Sequence, residues 1–171
     1  MTKEEVLNMG SYQKEPYSKY LTFNQFNTLF QRELTYQIFF DDYESDGFEL
    51  TSEIIDTLNF MLYFDESDIK LMKPLLLKHF EECAANTTYG GQTSAIIEKH
   101  KQDYLAANKE VFGIYNEDQA WEAATLKFVT IDESVVGEQI HTNLSLGFDI
   151  PWDIEHGISL LFHNKVFSGV E

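Results

Sequence analysis

The sequence predicts an α+β domain, an antiparallel sheet with helices packed on one face, and three observations carry that reading. Apolar residues follow a strand-like period near two in the stretch that ends at Phe40, and the period lengthens to about 3.6 from Ile54 to Cys83. After Leu126 it returns to two, so the chain runs strand, helices, strands. With 171 residues, 43% of them hydrophobic and 15% aromatic, the chain suits a single domain spanning 1–171 with a sizeable core.

The elements follow in order. Residues 1–18 are charged and polar, with no apolar stretch of signal-peptide length, and are expected to form a loosely ordered N-terminal segment. Tyr20 to Phe40 is rich in Phe, Thr and Tyr, and Leu34 to Phe40 suits a strand that ends at an acidic loop. Ile54, Ile55, Leu58, Met61 and Leu62 then take helical spacing behind the capping residues Thr51 and Ser52. Ile69, Met72, Leu76, Phe80 and Cys83 make a second helical stripe, in which Pro74 either kinks the helix or opens a shorter one. Tyr89-Gly90-Gly91 breaks the pattern, a third helix runs from about Ser94 to Val111 before Gly113, and Asn116 caps a short fourth helix. Leu126 to Ile131, Gln139 to Ile150, Ile158 to Phe162 and Val166-Phe167 read as short strands, with tight turns at Gly137, Gly157 and Asn164.

Charge is the strongest functional signal. The formal net charge is -17, and the stretch from Asp41 to Ile69 holds ten carboxylates without one lysine or arginine. Such a surface repels nucleic acid and anionic membrane, and it focuses a field that speeds encounter with a cation or a basic protein. The residues expected to meet such a partner are Asp42, Tyr43, Glu44, Asp46, Phe48 and Glu49, the two aromatics supplying packed anchors. No run of 18 apolar residues occurs, and Cys83 is the only cysteine, which together point to a cytoplasmic protein without an intramolecular disulfide. Oligomeric state is not legible in the sequence.

The same loop nearly matches an EF-hand, with Asp42, Glu44 and Asp46 at alternate positions and Glu53 eleven residues after Asp42. The match has faults: Glu44 is long for its position, Glu49 stands where an aliphatic residue belongs, and the chain enters from a strand. A tight calcium site is therefore not expected. No nucleophile elbow, P-loop, HExxH or dinucleotide glycine motif is present, so no cofactor is expected. His79 falls near the core stripe and reads as a partly buried side chain, while His100 and Asp103 read as a solvated helix face. An enzyme would require Asp153, Glu155 and His156 to converge with His141 or His163.

The segment from Phe148 to Ile158 contains Pro151-Trp152-Asp153-Ile154-Glu155-His156-Gly157. It resembles the W-D-x-E-H-G hairpin near the C-terminus of small bacterial proteins classed as domains of unknown function. The matching residues are Trp152, Asp153, Glu155, His156, Gly157, Ile158, Phe162, Asn164, Val166 and Gly169, within about the last thirty residues. The resemblance implies a strand, this turn and a final strand closing the domain, brings no assigned activity, and places some relatives in toxin-immunity settings. Turn chemistry gives these residues a structural reading: Pro151 fixes the approach, Trp152 plugs the core edge, Asp153 and Glu155 accept turn amide protons, and Gly157 permits a backbone shape other residues resist. The function expected is a binding protein of the immunity type that masks a basic partner surface. The alternative is a small metal-dependent or acid-base enzyme using the acidic loop or the Trp152 to His156 turn.

Overall fold

A computed structural model of the chain describes residues 1–15, 18–40, 49–87, 94–136 and 139–171. Among these, six helices and seven strands appear in the order α1 (Lys3–Met9), β1 (Ser11–Glu15), β2 (Ser18–Asn27), β3 (Arg32–Phe40), α2 (Ser52–Leu62), α3 (Glu66–Asn86), α4 (Ser94–Lys99), α5 (Tyr104–Phe112), α6 (Glu117–Ala123), β4 (Thr125–Val136), β5 (Gln139–Ile150), β6 (Asp153–His163) and β7 (Val166–Val170). The class is α+β. The seven strands form one sheet in sequence order, mostly antiparallel, with one parallel pair in which Thr35 to Ile38 of β3 face Phe128 to Ile131 of β4. Parallel neighbours need a long crossover, and helices α2 to α6 lie in that connection. No described helix is long and apolar enough to cross a membrane.

The backbone groups into two compact units. The first comprises Met1–Asp65, Leu126–Gly147 and Ser159–Glu171. Burial alternates along most of β2 and β3, so Leu21, Phe23, Leu34, Tyr36 and Ile38 line one face of the sheet. On α2 the buried residues Ile54, Thr57, Leu58 and Met61 repeat at three and four, and Thr51 caps the helix by accepting from the Ile54 amide at 3.2 Å. Residues 1–18, expected to be loose, contain α1 and β1. The Thr2 hydroxyl accepts from the Glu5 amide while the Thr2 amide donates to the Glu5 carboxylate, a capping box that starts α1. Asn164 (φ 48°) and Lys165 (φ 66°) form the expected turn between β6 and β7, with both central residues left-handed as a tight hairpin requires.

The second unit comprises Glu66–Thr125 and Phe148–Ile158. Helix α3 buries Met72, Leu76, Phe80 and Ala84, and Pro74 sits inside it with its side chain exposed instead of opening a shorter helix. The single helix expected from about Ser94 to Val111 is two helices. Lys101 (φ 55°) and Gln102 (φ 69°) turn the backbone left-handed, and Asp103 restarts the chain as the cap of α5, accepting from the Ala106 amide at 3.0 Å. Gly113 ends α5 with φ 69°, and Asn116 caps α6 as expected. Asn108 is fully buried on α5 and donates from Nδ2 to the carbonyls of Ala84 at 2.8 Å and Thr87 at 2.9 Å, tying the end of α3. Gly157 is not a turn residue: it lies within β6, at φ 69°. Gly137 falls outside the described residues.

Candidate functional site

The hairpin turn itself is Pro151-Trp152, and the remainder of the motif, Asp153 to Gly157, belongs to β6. Trp152 is 1% exposed. Its ring meets Phe80 edge to face, with centroids 5.4 Å apart, and its indole N–H donates to His79 Nδ1 at 3.0 Å. A neutral imidazole has one lone pair, so this bond assigns the ring proton of His79 to Nε2. Burial pushes His79 below its ordinary value, against the opposing pull of Asp153 and Glu82, and so favours the neutral ring.

His79 and Cys83 are four residues apart on α3 and therefore share one helix face. The Cys83 Sγ lies 3.7 Å from His79 Nε2 and 3.9 Å from Nδ1, so the sulfur addresses the ring between its nitrogens instead of lying on the axis of either. A neutral imidazole that has its lone pair engaged by an indole is a poor base for a thiol, and a cysteine-histidine nucleophile is not what this geometry builds. Asp153 completes the group. Its carboxylate, the Cys83 sulfur and the His79 ring present one donor atom each within 4.8 Å of one another, and all three side chains are half-buried. Asp153 Oδ1 also accepts from the His156 amide at 3.3 Å and lies 3.0 Å from His156 Nδ1. A cavity of about 560 Å³ opens beside the group, lined by Cys83, Thr87, Phe112, Trp152, Asp153, Glu155 and His156 among others.

Glycine at 157 has a steric cause. A Cβ there would stand 2.6 Å from the Phe148 carbonyl oxygen across the hairpin, and the positive φ disfavours any L side chain.

The other residues singled out in the sequence are distributed as follows. Asp42, Tyr43, Glu44, Asp46 and Phe48 lie outside the described residues. Glu49 is exposed and, with Lys3 and Glu53, lines a 620 Å³ depression in the first unit. Glu53, the distal EF-hand residue, is exposed in the first turn of α2 and accepts from the Ser52 hydroxyl at 3.0 Å. Asp153, Glu155 and His156 do border one cavity. His141 and His163 belong to the first unit, where they stack at 4.7 Å on neighbouring strands, His163 donating from Nδ1 to Asn143 Oδ1 at 2.7 Å. Asn143 is oriented in turn by Nδ2 donating to Asp132 at 2.6 Å. His100 is not simply solvated: with Lys99 it engages Glu110, at 2.7 Å from each. Sequence reasoning missed the grouping of His79 and Cys83 with the motif, although the four-residue spacing was there to mark a shared face.

A family model described as a domain of unknown function, DUF6985, matches residues 8–170. The chain belongs to this family. The match is not confined to the thirty C-terminal residues that carry the motif resemblance, and takes in both compact units. No curated protein and no solved structure matches the chain.

Proposed function

We propose that this protein is a cytoplasmic binding protein of the toxin-immunity type, whose acidic surface masks a basic partner. The observation that carries the reading is the run from Asp41 to Asp68, ten carboxylates with no lysine or arginine among them in a chain of net charge -17. Five of its described members, Glu49, Glu53, Asp56, Asp65 and Glu66, are exposed. On α2, Glu53 and Asp56 are three residues apart and share a face, and Tyr63, seven residues beyond Asp56 at the helix end, is 79% exposed. An acidic stripe ending in an exposed tyrosine combines electrostatic steering with an aromatic anchor, as protein interfaces require. The one cation paired with this stripe among the described residues, Lys165 to Asp56 at 3.9 Å, is long and exposed, and it neutralises little.

The test is to capture partners from the native host with this protein as bait and to measure binding of the basic protein that the reading requires among them. Asp42→Lys, Glu53→Lys and Asp56→Lys should each slow association, with the effect shrinking at high salt, and Tyr63→Ala should speed dissociation. Association rates unchanged across the charge reversals, or the absence of neutralisation of that partner's toxicity, would reject the reading. A second reading, a small acid-base enzyme at the Trp152 to His156 turn, draws support from the cavity that Asp153, Glu155 and His156 border. It requires a turnover that Asp153→Asn abolishes while the fold is retained.

A further inference from the structure

We infer that His79, Cys83 and Asp153 form a binding site for one divalent transition-metal ion of the zinc type, independent of the acidic surface invoked above. Three features converge. The donor set is one imidazole, one sulfur and one carboxylate, which is the chemistry zinc and cobalt select and which calcium and magnesium, needing oxygen cages, do not. In a tetrahedral zinc site, metal-ligand bonds of about 2.0–2.3 Å place donor atoms roughly 3.3–3.8 Å apart. The Cys83 Sγ to His79 Nε2 separation of 3.7 Å falls in that range, and with the three donor atoms within 4.8 Å of one another, rotation of the Cys83 and Asp153 side chains brings their donors around an ion on the Nε2 axis.

The second feature is how the ligands are held. His79 and Cys83 are consecutive-turn neighbours on the 21-residue helix α3, and Asp153 opens β6 directly after buried Trp152, so all three stand on regular elements. His156 Nδ1, 3.0 Å from Asp153 Oδ1, can hold one carboxylate oxygen while the other turns to the ion, the outer hydrogen bond that ligating carboxylates use. The third is access: the 560 Å³ cavity lined by Cys83, Asp153, Glu155 and His156 leaves the fourth coordination position open to water or a small ligand.

Occupancy has a cost that also supplies a signal. With the ion on Nε2, the ring proton of His79 moves to Nδ1, so two N–H donors face each other and the Trp152 indole must shift away from its former acceptor. One hydrogen bond is a small loss beside the free energy of a zinc site, and the loss changes the surroundings of Trp152.

The full-length protein, stripped with chelator under reducing anaerobic conditions, should be titrated with Co²⁺ alone and then with Zn²⁺. The expected result is a thiolate-to-cobalt charge-transfer band that saturates at one ion per chain, is displaced by Zn²⁺ and is accompanied by a change in indole emission. Cys83→Ser should abolish the band, and His79→Gln and Asp153→Asn should weaken cobalt affinity at least tenfold. Glu53→Gln should leave the band unchanged, because carboxylates of the acidic run give no such absorption. Wild type also provides a test that depends on no variant: Zn²⁺ should slow alkylation of the Cys83 thiol by tenfold or more. Cobalt binding without a charge-transfer band, a band that survives Cys83→Ser, or alkylation indifferent to zinc would overturn the inference.

Discussion

Replacing Trp152 by alanine tests how much of the second unit hangs on one side chain. The indole is 1% exposed, packs edge to face on Phe80 and donates to His79 at 3.0 Å. Removing a buried tryptophan costs about 3–5 kcal/mol through lost transfer energy and the cavity left behind. Within that total the hydrogen bond accounts for about 1 kcal/mol and the ring pair for about 0.5–1.5 kcal/mol, leaving apolar burial as the largest part. For a chain of this length each kcal/mol lowers Tm by roughly 2–4 °C, so the expected drop is about 6–20 °C. Calorimetry gives Tm, and urea titration followed by far-ultraviolet circular dichroism gives the free energy. Since the chain groups into two compact units, the transition is followed also by emission from Trp121, the remaining tryptophan, which lies in the same unit as the substitution. A Tm within about 2 °C of wild type would refute the argument that the motif braces the fold, since no buried indole is removed so cheaply.

Three further outcomes follow from the geometry. Gly157→Val forces a β-branched residue to φ 69° with its Cβ 2.6 Å from the Phe148 carbonyl, and should cost at least about 1–3 kcal/mol by denaturant titration; a stable, soluble variant would show that β6 relaxes around the site. Asn108→Ala strips the carbonyls of Ala84 and Thr87 of their buried donor and should cost about 1–3 kcal/mol, with amide exchange accelerating first at the C-terminal turn of α3. Glu110 is held below its ordinary value of 4.5, first by Lys99 and then by His100, so its contribution is present above 4.5 and lost as pH falls through the lower folded value. Glu110→Gln should therefore flatten the acid limb of a Tm-versus-pH curve below pH 4.5, and an unchanged limb would sink the pairing.

Local chemistry and periodicity were legible to different degrees in different parts of the chain. Helices α2 and α6 were readable with their caps, because Thr51 and Asn116 are short acceptors placed just ahead of apolar periodicity. The split between α4 and α5 is marked only by the polar run from Glu98 to Asp103, which also suits an exposed helix face; the two left-handed residues inside it, Lys101 and Gln102, are announced by no glycine, and the capping residue Asp103 is the one local sign of a restart. At the N-terminus the box Thr2-Lys3-Glu4-Glu5 was present but overshadowed by the polar composition around it. The parallel pairing of β3 with β4 left no local trace, since pairing direction is settled by the path of a long connection and not by either strand. The candidate site divided the same way. The motif around Trp152 was visible as a cluster of unusual residues, whereas its junction with His79, 73 positions earlier, depends on tertiary packing.

That junction sets stability and ion binding in opposition, and a conservative substitution separates them. Trp152→Phe keeps an aromatic ring against Phe80 but deletes the N–H that engages His79 Nδ1. The metal-free protein should lose about 1–2 kcal/mol, from the missing hydrogen bond and the smaller ring. An ion on His79 no longer has that bond to displace, so about 0.5–1.5 kcal/mol is returned to binding, and cobalt affinity should rise roughly 2- to 12-fold. Opposite signs on the two axes are the signature of direct competition between indole and ion for one imidazole. A turn that serves only as a scaffold for the ligands predicts the reverse, because loosening the hairpin would let Asp153 drift and weaken the ion. Isothermal titration of both proteins with Co²⁺, beside their thermal unfolding in chelator, distinguishes the cases: affinity falling together with Tm would refute the competition and leave Trp152 a brace alone.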